Sequence, residues 1–137
     1  RTFDAQTRRI VEQSIHAIAK ATCEAAGAEV SVCYEHGYDA MWNDPLETKR
    51  VERLAEQIVG KENVKRLEPN LGGEDFAYYL QQVPGSFFFV GGRNPELDAV
   101  YPHHHPRFDV DERSLIVGGK LLLSATLDYL SDTTTAE

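Results

Sequence analysis

A helix with clear start and stop signals is predicted between Asp44 and Gly60. Asp44 is a good N-cap, Pro45 suits the first helical position, and Glu47 completes a capping box. Apolar side chains recur inside the segment at helical spacing, and Gly60 is a natural stop. The predicted buried stripe consists of Val51, Leu54, Ala55, Ile58 and Val59.

Helical and strand-like segments alternate along the rest of the chain. Asp4 and Asp111 each cap a longer amphipathic helix, the first ending at Gly27 and the second near Leu130, before a tail expected to fray. A short helix is expected over residues 75–82, and strands are expected at residues 1–3, 29–34, 63–67 and 86–90. This order predicts an α/β fold of layered helices and strands. The expected core combines Val51, Leu54, Ile58, Phe87, Phe88, Phe89, Leu122 and Leu130.

Charge and cysteine usage exclude several classes of partner. The chain has 14 Lys and Arg against 22 Asp and Glu, a formal net charge of −8 with no local basic patch. Phosphate backbones and anionic lipid surfaces repel such a chain, so we expect neither a nucleic-acid nor a membrane partner. Cys23 and Cys33 form neither a disulfide framework nor a zinc-ribbon spacing, which favours reduced thiols and a cytoplasmic location.

Three adjacent histidines between two prolines are the strongest chemical signal in the sequence, at His103, His104 and His105. Imidazole is a common ligand of zinc, cobalt, nickel and manganese. Neighbouring side chains leave an extended backbone in different directions, so one ligand with one or two supporting histidines is the physical expectation. The flanking prolines restrict the loop backbone, as a preorganised ligand requires. The alternative is a solvated loop with a chance histidine run.

A second signal is the run Gly72-Gly73-Glu74-Asp75. Two glycines allow a backbone to approach a ligand closely, and they can present free N–H groups at the start of the helix that follows. Glu74 and Asp75 are candidates for metal ligands or a general base. They are equally candidates for helix N-terminal charges that complement the macrodipole, and the sequence leaves both possibilities open.

These motifs occur together in one known family. The ordered set is Arg1-Thr2-Phe3-Asp4 before a long helix, Gly37-Tyr38, Asn43-Asp44-Pro45, Gly72-Gly73-Glu74-Asp75-Phe76, Phe87-Phe88-Phe89, and Tyr-Pro-His-His-x-Pro-Arg-Phe-Asp at residues 101–109. In this order the chain resembles the amidohydrolase branch of the aminoacylase/carboxypeptidase metallopeptidases, which includes hippurate hydrolases and indole-acetyl-amino-acid hydrolases.

The resemblance implies a division of the chain and a metal ligand. Residues 1–38 correspond to the second half of a lid domain of the dimerisation type, a strand–helix–strand segment, and residues 39–137 to the C-terminal part of a catalytic α/β domain. His104 takes the position of a metal ligand, with His103 and His105 as possible supporting residues. His105 stands where Ser or Asn is usual in the family.

The resemblance also implies an activity and substrate contacts. The longer parent enzyme is expected to hydrolyse an N-acyl amino acid or a peptide-like amide with two divalent ions, zinc, manganese, cobalt or nickel. Arg1 is expected to grip the substrate carboxylate, and Gly72, Gly73 and Glu74 to line the pocket. No catalytic residue is assigned within the chain, which is expected to be inactive and metal-free by itself. The alternatives are a non-enzymatic metal-binding module and a homodimer formed through the lid segment.

Overall fold

The computed structural model describes residues 1–134. In this part of the chain the helices are α1 (Ala5–Ala25), α2 (Pro45–Val59), α3 (Ala77–Leu80) and α4 (Arg113–Thr134), with single 3-10 turns at Lys61–Asn63 and Pro95–Leu97. The chain divides into two compact units. The first combines Arg1–Asn43 with Glu68–Gly85, and the second combines Asp44–Leu67 with Ser86–Glu137.

The predicted starts of α1 and α2 are confirmed. The Asp4 carboxylate accepts the Thr7 N–H at 2.7 Å, and this hydrogen bond lowers the pKa of Asp4. The Asp44 carboxylate accepts the N–H groups of Leu46 and Glu47 at 2.8 and 3.0 Å. Helix N-termini leave backbone donors unpaired, and these side chains satisfy them.

The helix ends follow local chemistry less closely. α2 ends at the predicted glycine, Gly60, which has a φ of 85°, a conformation that costs glycine little. The predicted short helix is reduced to Ala77–Leu80. α4 continues past the predicted end to Thr134, and the last three positions of the expected frayed tail lie outside the described residues.

The predicted α/β fold class is wrong, because the described residues contain helices and no sheet. Their isolated β-bridge is antiparallel and joins Asn94 to Ala99. The apolar runs at residues 29–34 and 86–90 have no regular structure, and they leave Val30 and Phe89 42% and 60% exposed. An alternating or apolar run indicates which side chains can be buried. A strand also needs a second backbone to pair with, and local sequence does not specify that partner.

In the first unit, polar contacts hold α1 to the segment that follows it. α1 has no fully buried residue. Arg8 forms an ion pair with Asp39 at 2.6 Å, and Gln81 donates to the same carboxylate at 3.0 Å. The Tyr38 ring meets the Tyr78 ring edge to face, with 5.8 Å between centroids. The segment around residues 38 and 39 is therefore held by contacts with α1 and with the region of α3.

In the second unit, α2 packs on α4. Leu54 on α2 and Leu121 on α4 are buried, at 6% and 5% exposure. Near the end of α4, Asp128 accepts hydrogen bonds from Arg50 and from Arg53, the latter at 2.7 Å. The helix pair is thus held by an apolar centre and by an ion-pair network at its edge.

The predicted core is wrong at both of its positions on α4, Leu122 and Leu130. Leu54 is buried as expected, but Leu122 and Leu130 are 60% and 55% exposed. The helix turns Leu121 toward its partner, and a shift of one residue rotates a side chain by about 100°. α4 also has a second apolar face that is exposed, at Leu115, Ile116, Leu122, Leu123, Leu127 and Leu130. An exposed apolar face of this kind is typical of an element that another part of a protein covers. Among the described residues, no helix combines the length and the apolar character needed to cross a bilayer.

We expect the Asp128 network to make stability depend on pH. Hydrogen bonds from Arg53, and then Arg50, lower the pKa of Asp128 below its ordinary value of 3.8. A depressed carboxyl pKa contributes stability that is complete above the unfolded value and lost as the pH falls through the folded value. Asp128→Asn should therefore lower the thermal unfolding midpoint at pH 7, and its difference from the unmodified chain should shrink below about pH 3.8.

The control for this measurement is Glu29→Gln, which removes an exposed carboxylate outside the network. It should leave the thermal unfolding midpoint nearly unchanged at pH 7 and at pH 2.5. An Asp128→Asn effect of equal size at pH 7 and at pH 2.5 would contradict the ion-pair explanation.

Candidate functional site

Hydrogen bonds close the base of the loop that carries the three histidines. The Asp111 N–H donates to the Gly92 carbonyl at 2.7 Å, and Asn94 and Ala99 exchange two backbone hydrogen bonds. The Asp111 carboxylate accepts from the Arg113 guanidinium and from the Asn94 amide, and these donors hold the pKa of Asp111 well below its ordinary value. The loop therefore starts and ends at one fixed point beside the first turn of α4.

The tip of the loop is folded around His105. Its N–H donates to the Pro102 carbonyl at 3.2 Å, and its own carbonyl accepts the Phe108 N–H at 2.9 Å. Its Nδ1 accepts the Arg107 N–H at 3.1 Å. Two successive turns result, and they are typical of a segment with prolines at residues 102 and 106.

Ring contacts fix the same residues on their side-chain faces. The His105 and Tyr101 rings are stacked, with centroids 4.4 Å apart and planes inclined by 12°. The Arg107 guanidinium lies 4.5 Å from the centroid of the Tyr101 ring, and it also pairs with Asp98. This connects His105, Tyr101, Arg107 and Asp98 into one cluster, which we call the Tyr101 cluster.

His104 differs from both of its neighbours. His103 meets the Phe108 ring edge to face at 4.8 Å, and His105 belongs to the Tyr101 cluster. The His104 side chain is exposed, and within the described part of the chain it makes no hydrogen bond, ion pair or ring contact. Its φ of 68° is left-handed, which costs a non-glycine residue about 1–2 kcal/mol. The structure thus singles out His104, although its role as a ligand stays a prediction.

The metal-binding capacity of the chain is partial. Residues 1–134 bring together no group of three or more His, Cys, Asp or Glu side chains that could hold an ion. A tight zinc-type site needs three or four protein ligands. The donor set of these residues fits a contribution of one imidazole to a metal site.

In the first unit, two residues predicted to contact substrate lie side by side. Arg1 donates from Nη1 to the Leu71 carbonyl at 2.8 Å, across 70 positions of sequence. A Cβ added to Gly73 would lie 3.3 Å from Arg1 Nη2 and 3.3 Å from Tyr38 Cδ2. A side chain at position 73 would therefore be crowded by Arg1 and Tyr38, while the predicted close approach to a ligand stays a prediction.

Gly72 and Glu74 stabilise the turn before α3. The Gly72 N–H donates to the Asn70 side chain at 2.8 Å, and the Glu74 carboxylate accepts the Phe76 N–H at 3.1 Å. The Glu74 carboxylate is thus bonded to the backbone of the turn before α3 and does not cap α3 itself. Arg1, Gly72, Gly73 and Glu74 lie in the first unit and the histidines in the second.

Sequence reasoning missed three residues of these two sites. Tyr38 lies against Gly73, Tyr101 stacks on His105, and Asn94 joins Asp111 at the base of the loop. The pair Asn94-Pro95 carries a helix-cap signal, and the Asn94 side chain does accept the Glu96 N–H at 2.9 Å. The Tyr101 and Tyr38 contacts depend on how the loops fold, so they have no comparable local signal.

Comparison with known proteins places these features in context. The family model "Peptidase family M20/M25/M40" matches residues 5–128. YhaA of Bacillus subtilis, named as an amidohydrolase, is 43% identical over 129 residues, which cover 94% of this chain and 33% of that protein. The N-acetyl-L-cysteine deacetylase of the same organism is 35% identical over 116 residues, covering 85% of this chain and 26% of the enzyme.

A solved structure gives the same result. The crystal structure of a protein described as an aminohydrolase, from methicillin-resistant Staphylococcus aureus, matches with a TM-score of 0.67 and 31% identity, covering 91% of this chain and 32% of that one. The chain thus spans about a third of the length of its relatives. Because the family model covers nearly the whole sequence, the chain belongs to peptidase family M20/M25/M40.

Proposed function

We propose that this chain is the C-terminal third of a metal-dependent amidohydrolase that cleaves N-acyl amino acids or related small amides. The observation that carries the proposal is the exposed His104 imidazole, free of contacts in the described residues, at the tip of a loop closed at its base. A neutral imidazole on a fixed backbone is what a divalent metal requires of a preorganised ligand. The names of the relatives, an amidohydrolase and a deacetylase, support amide hydrolysis.

His104 is proposed to hold one ion of a two-metal site. Zinc, manganese, cobalt or nickel, when bound, activates a water and polarises the amide carbonyl. Further ligands, and a glutamate that moves the proton, are proposed to lie in the part of the enzyme beyond this chain, since the described residues supply no complete ligand set. The chain's own contribution is to position His104 through the closed loop.

Arg1 and the Gly72–Glu74 turn are proposed to bind the amino-acid part of the substrate. A guanidinium has five N–H donors, and Arg1 uses one of them on the Leu71 carbonyl. The remaining donors suit a carboxylate, which every N-acyl amino acid carries. The narrow space at Gly73, between Arg1 and Tyr38, then shapes the wall beside that carboxylate.

A second candidate is self-association through the lid segment. α1 has no fully buried residue and exposes Ile10, Val11, Ile15 and Ile18. Exposed apolar faces of this kind mark interaction surfaces. Mass measurement in solution tests a homodimer, and metal stoichiometry separates the enzyme, which needs two tight ions, from a module that binds one ion loosely.

The proposed activity is tested with the enzyme that carries this chain. After chelator treatment and addition of zinc, manganese or cobalt, it should hydrolyse N-acetyl or N-benzoyl amino acids, and a chelator should abolish turnover. The matched control is the 137-residue chain, which should show no turnover under the same conditions. An inactive enzyme would contradict the proposed function. Metal-dependent turnover by the chain that survives repurification would contradict the location of the other ligands.

A further inference from the structure

His104 and His105 differ in the hydrogen bonding of their imidazole nitrogens, because only His105 belongs to the Tyr101 cluster. In a neutral imidazole one nitrogen carries a proton and the other a lone pair. Because His105 Nδ1 accepts the Arg107 N–H at 3.1 Å, the lone pair is on Nδ1 and already engaged, and the proton is on Nε2. A metal ligand needs a free lone pair, so this state of His105 has none to offer. The structure thus gives these two adjacent histidines different surroundings.

The His105 ring is held by a stacking contact in addition to the hydrogen bond at its Nδ1. It stacks on Tyr101 at 4.4 Å, and Arg107 contacts the same tyrosine while pairing with Asp98. Arg107 therefore contacts two other members of the cluster, His105 through its backbone N–H and Tyr101 through its guanidinium. A Ser or Asn in place of His105 would supply the hydrogen-bond acceptor without the ring.

Fixing His105 also fixes the residue before it. The backbone of His105 is bonded to Pro102 on one side and to Phe108 on the other. His104 lies inside this turn with a φ of 68°, a conformation that persists in a non-glycine residue only when its surroundings impose it. The contacts around His105 are the constraint that the structure shows.

We infer that His105 is a positioning residue. Through the Tyr101 stack and its Nδ1 acceptor, it holds the His104 backbone in the turn from which His104 can bind a metal ion. This inference rests on the proposed function, because it takes His104 as the ligand. His105 would not be a ligand in this arrangement, and its effect on metal binding would pass through the loop.

The test uses three variants of His105, which separate its two properties, and one variant each of His104 and His16. His105→Ala removes ring and acceptor, His105→Asn keeps an acceptor, and His105→Phe keeps a ring. His104→Ala removes the proposed ligand. His16→Ala, in α1, controls for the loss of a histidine elsewhere in the chain. Two readouts are recorded: hydrogen exchange of the Arg107 amide, and Co²⁺ affinity with the visible spectrum of bound Co²⁺ in the enzyme that carries this chain.

His105→Ala should speed Arg107 exchange about 5-fold or more and weaken Co²⁺ binding by roughly 10–100-fold, with the spectrum of bound Co²⁺ unchanged. His105→Asn should restore Arg107 protection and part of the affinity, and His105→Phe should restore neither fully. His104→Ala should change the Co²⁺ spectrum and weaken binding further, while Arg107 exchange stays slow. His16→Ala should alter neither readout.

Three results would overturn the inference. A changed Co²⁺ spectrum in His105→Ala would make His105 a ligand. Unchanged Arg107 exchange and Co²⁺ affinity in His105→Ala would remove any positioning role. If Arg107 exchange responds to His105→Ala but neither His104→Ala nor His105→Ala alters Co²⁺ affinity, the loop geometry stands while the proposed metal role fails, and the positioning role fails with it.

Discussion

His104→Ala is expected to remove most of the activity of the enzyme that carries this chain while leaving its fold intact. The loss of activity should exceed the ~10–100-fold that removal of a supporting residue costs. A neighbouring histidine cannot replace the ligand, because its side chain leaves the backbone in another direction. The fold should survive because the His104 side chain is exposed and makes no contact in the described residues. Steady-state kinetics and the thermal unfolding midpoint measure the two effects separately.

His104→Gly is the matched control for this prediction. It also removes the imidazole, so it should be as inactive as His104→Ala. Glycine adopts a φ of 68° without penalty, so its unfolding midpoint should equal or exceed that of His104→Ala. If His105→Ala were the more damaging change and His104→Ala nearly silent, the assignment would be wrong by one residue.

Leu121→Ala is expected to destabilise the chain by about 2–5 kcal/mol, since truncation of a buried leucine loses transfer free energy and leaves a cavity. Leu121 is 5% exposed on the α2-facing side of α4, and Leu54 on α2 is 6% exposed, so Leu54→Ala should have a similar cost. Either loss is large beside the ~5–15 kcal/mol that stabilises an ordinary domain. Urea unfolding measures both.

The neighbouring residue supplies the control. Leu122 is 60% exposed, and Leu122→Ala should change the free energy of unfolding of this chain by no more than about 0.5 kcal/mol. Equal costs at positions 121 and 122 would contradict the helix phase described above. In the longer enzyme, Leu122→Ala should lower the free energy of unfolding by more if other elements pack on the outer face of α4. Comparing Leu122→Ala in the two proteins therefore tests whether that face is buried in the enzyme.

Local chemistry accounts for the parts of the fold that were predicted correctly. Asp4 and Asp44 cap their helices through hydrogen bonds to N–H groups two or three residues away, so a few adjacent residues decide where α1 and α2 begin. The three histidines lie in a loop between two prolines, as was also expected from the sequence. Neither result needs information from a distant part of the chain.

The failed predictions concern elements that depend on distant partners. Residues 29–34 alternate as a strand does, yet a strand exists only where another backbone pairs with it. The choice of Leu121 over Leu122 as the buried leucine depends on which side of α4 meets α2, and both sides are apolar in sequence. Apolar character alone does not identify the buried face when a helix has apolar residues on two faces.

The sequence by itself determined where α1 and α2 begin, the loop with three histidines and the family to which they belong. Only the tertiary structure decided that Arg1 lies beside Gly73, and that His105 is bound in a cluster while His104 is free of contacts in the described residues. The physical reason is range: caps and turns act over two to four residues, whereas ring stacking, helix phase and strand pairing join positions that only the folded backbone brings together.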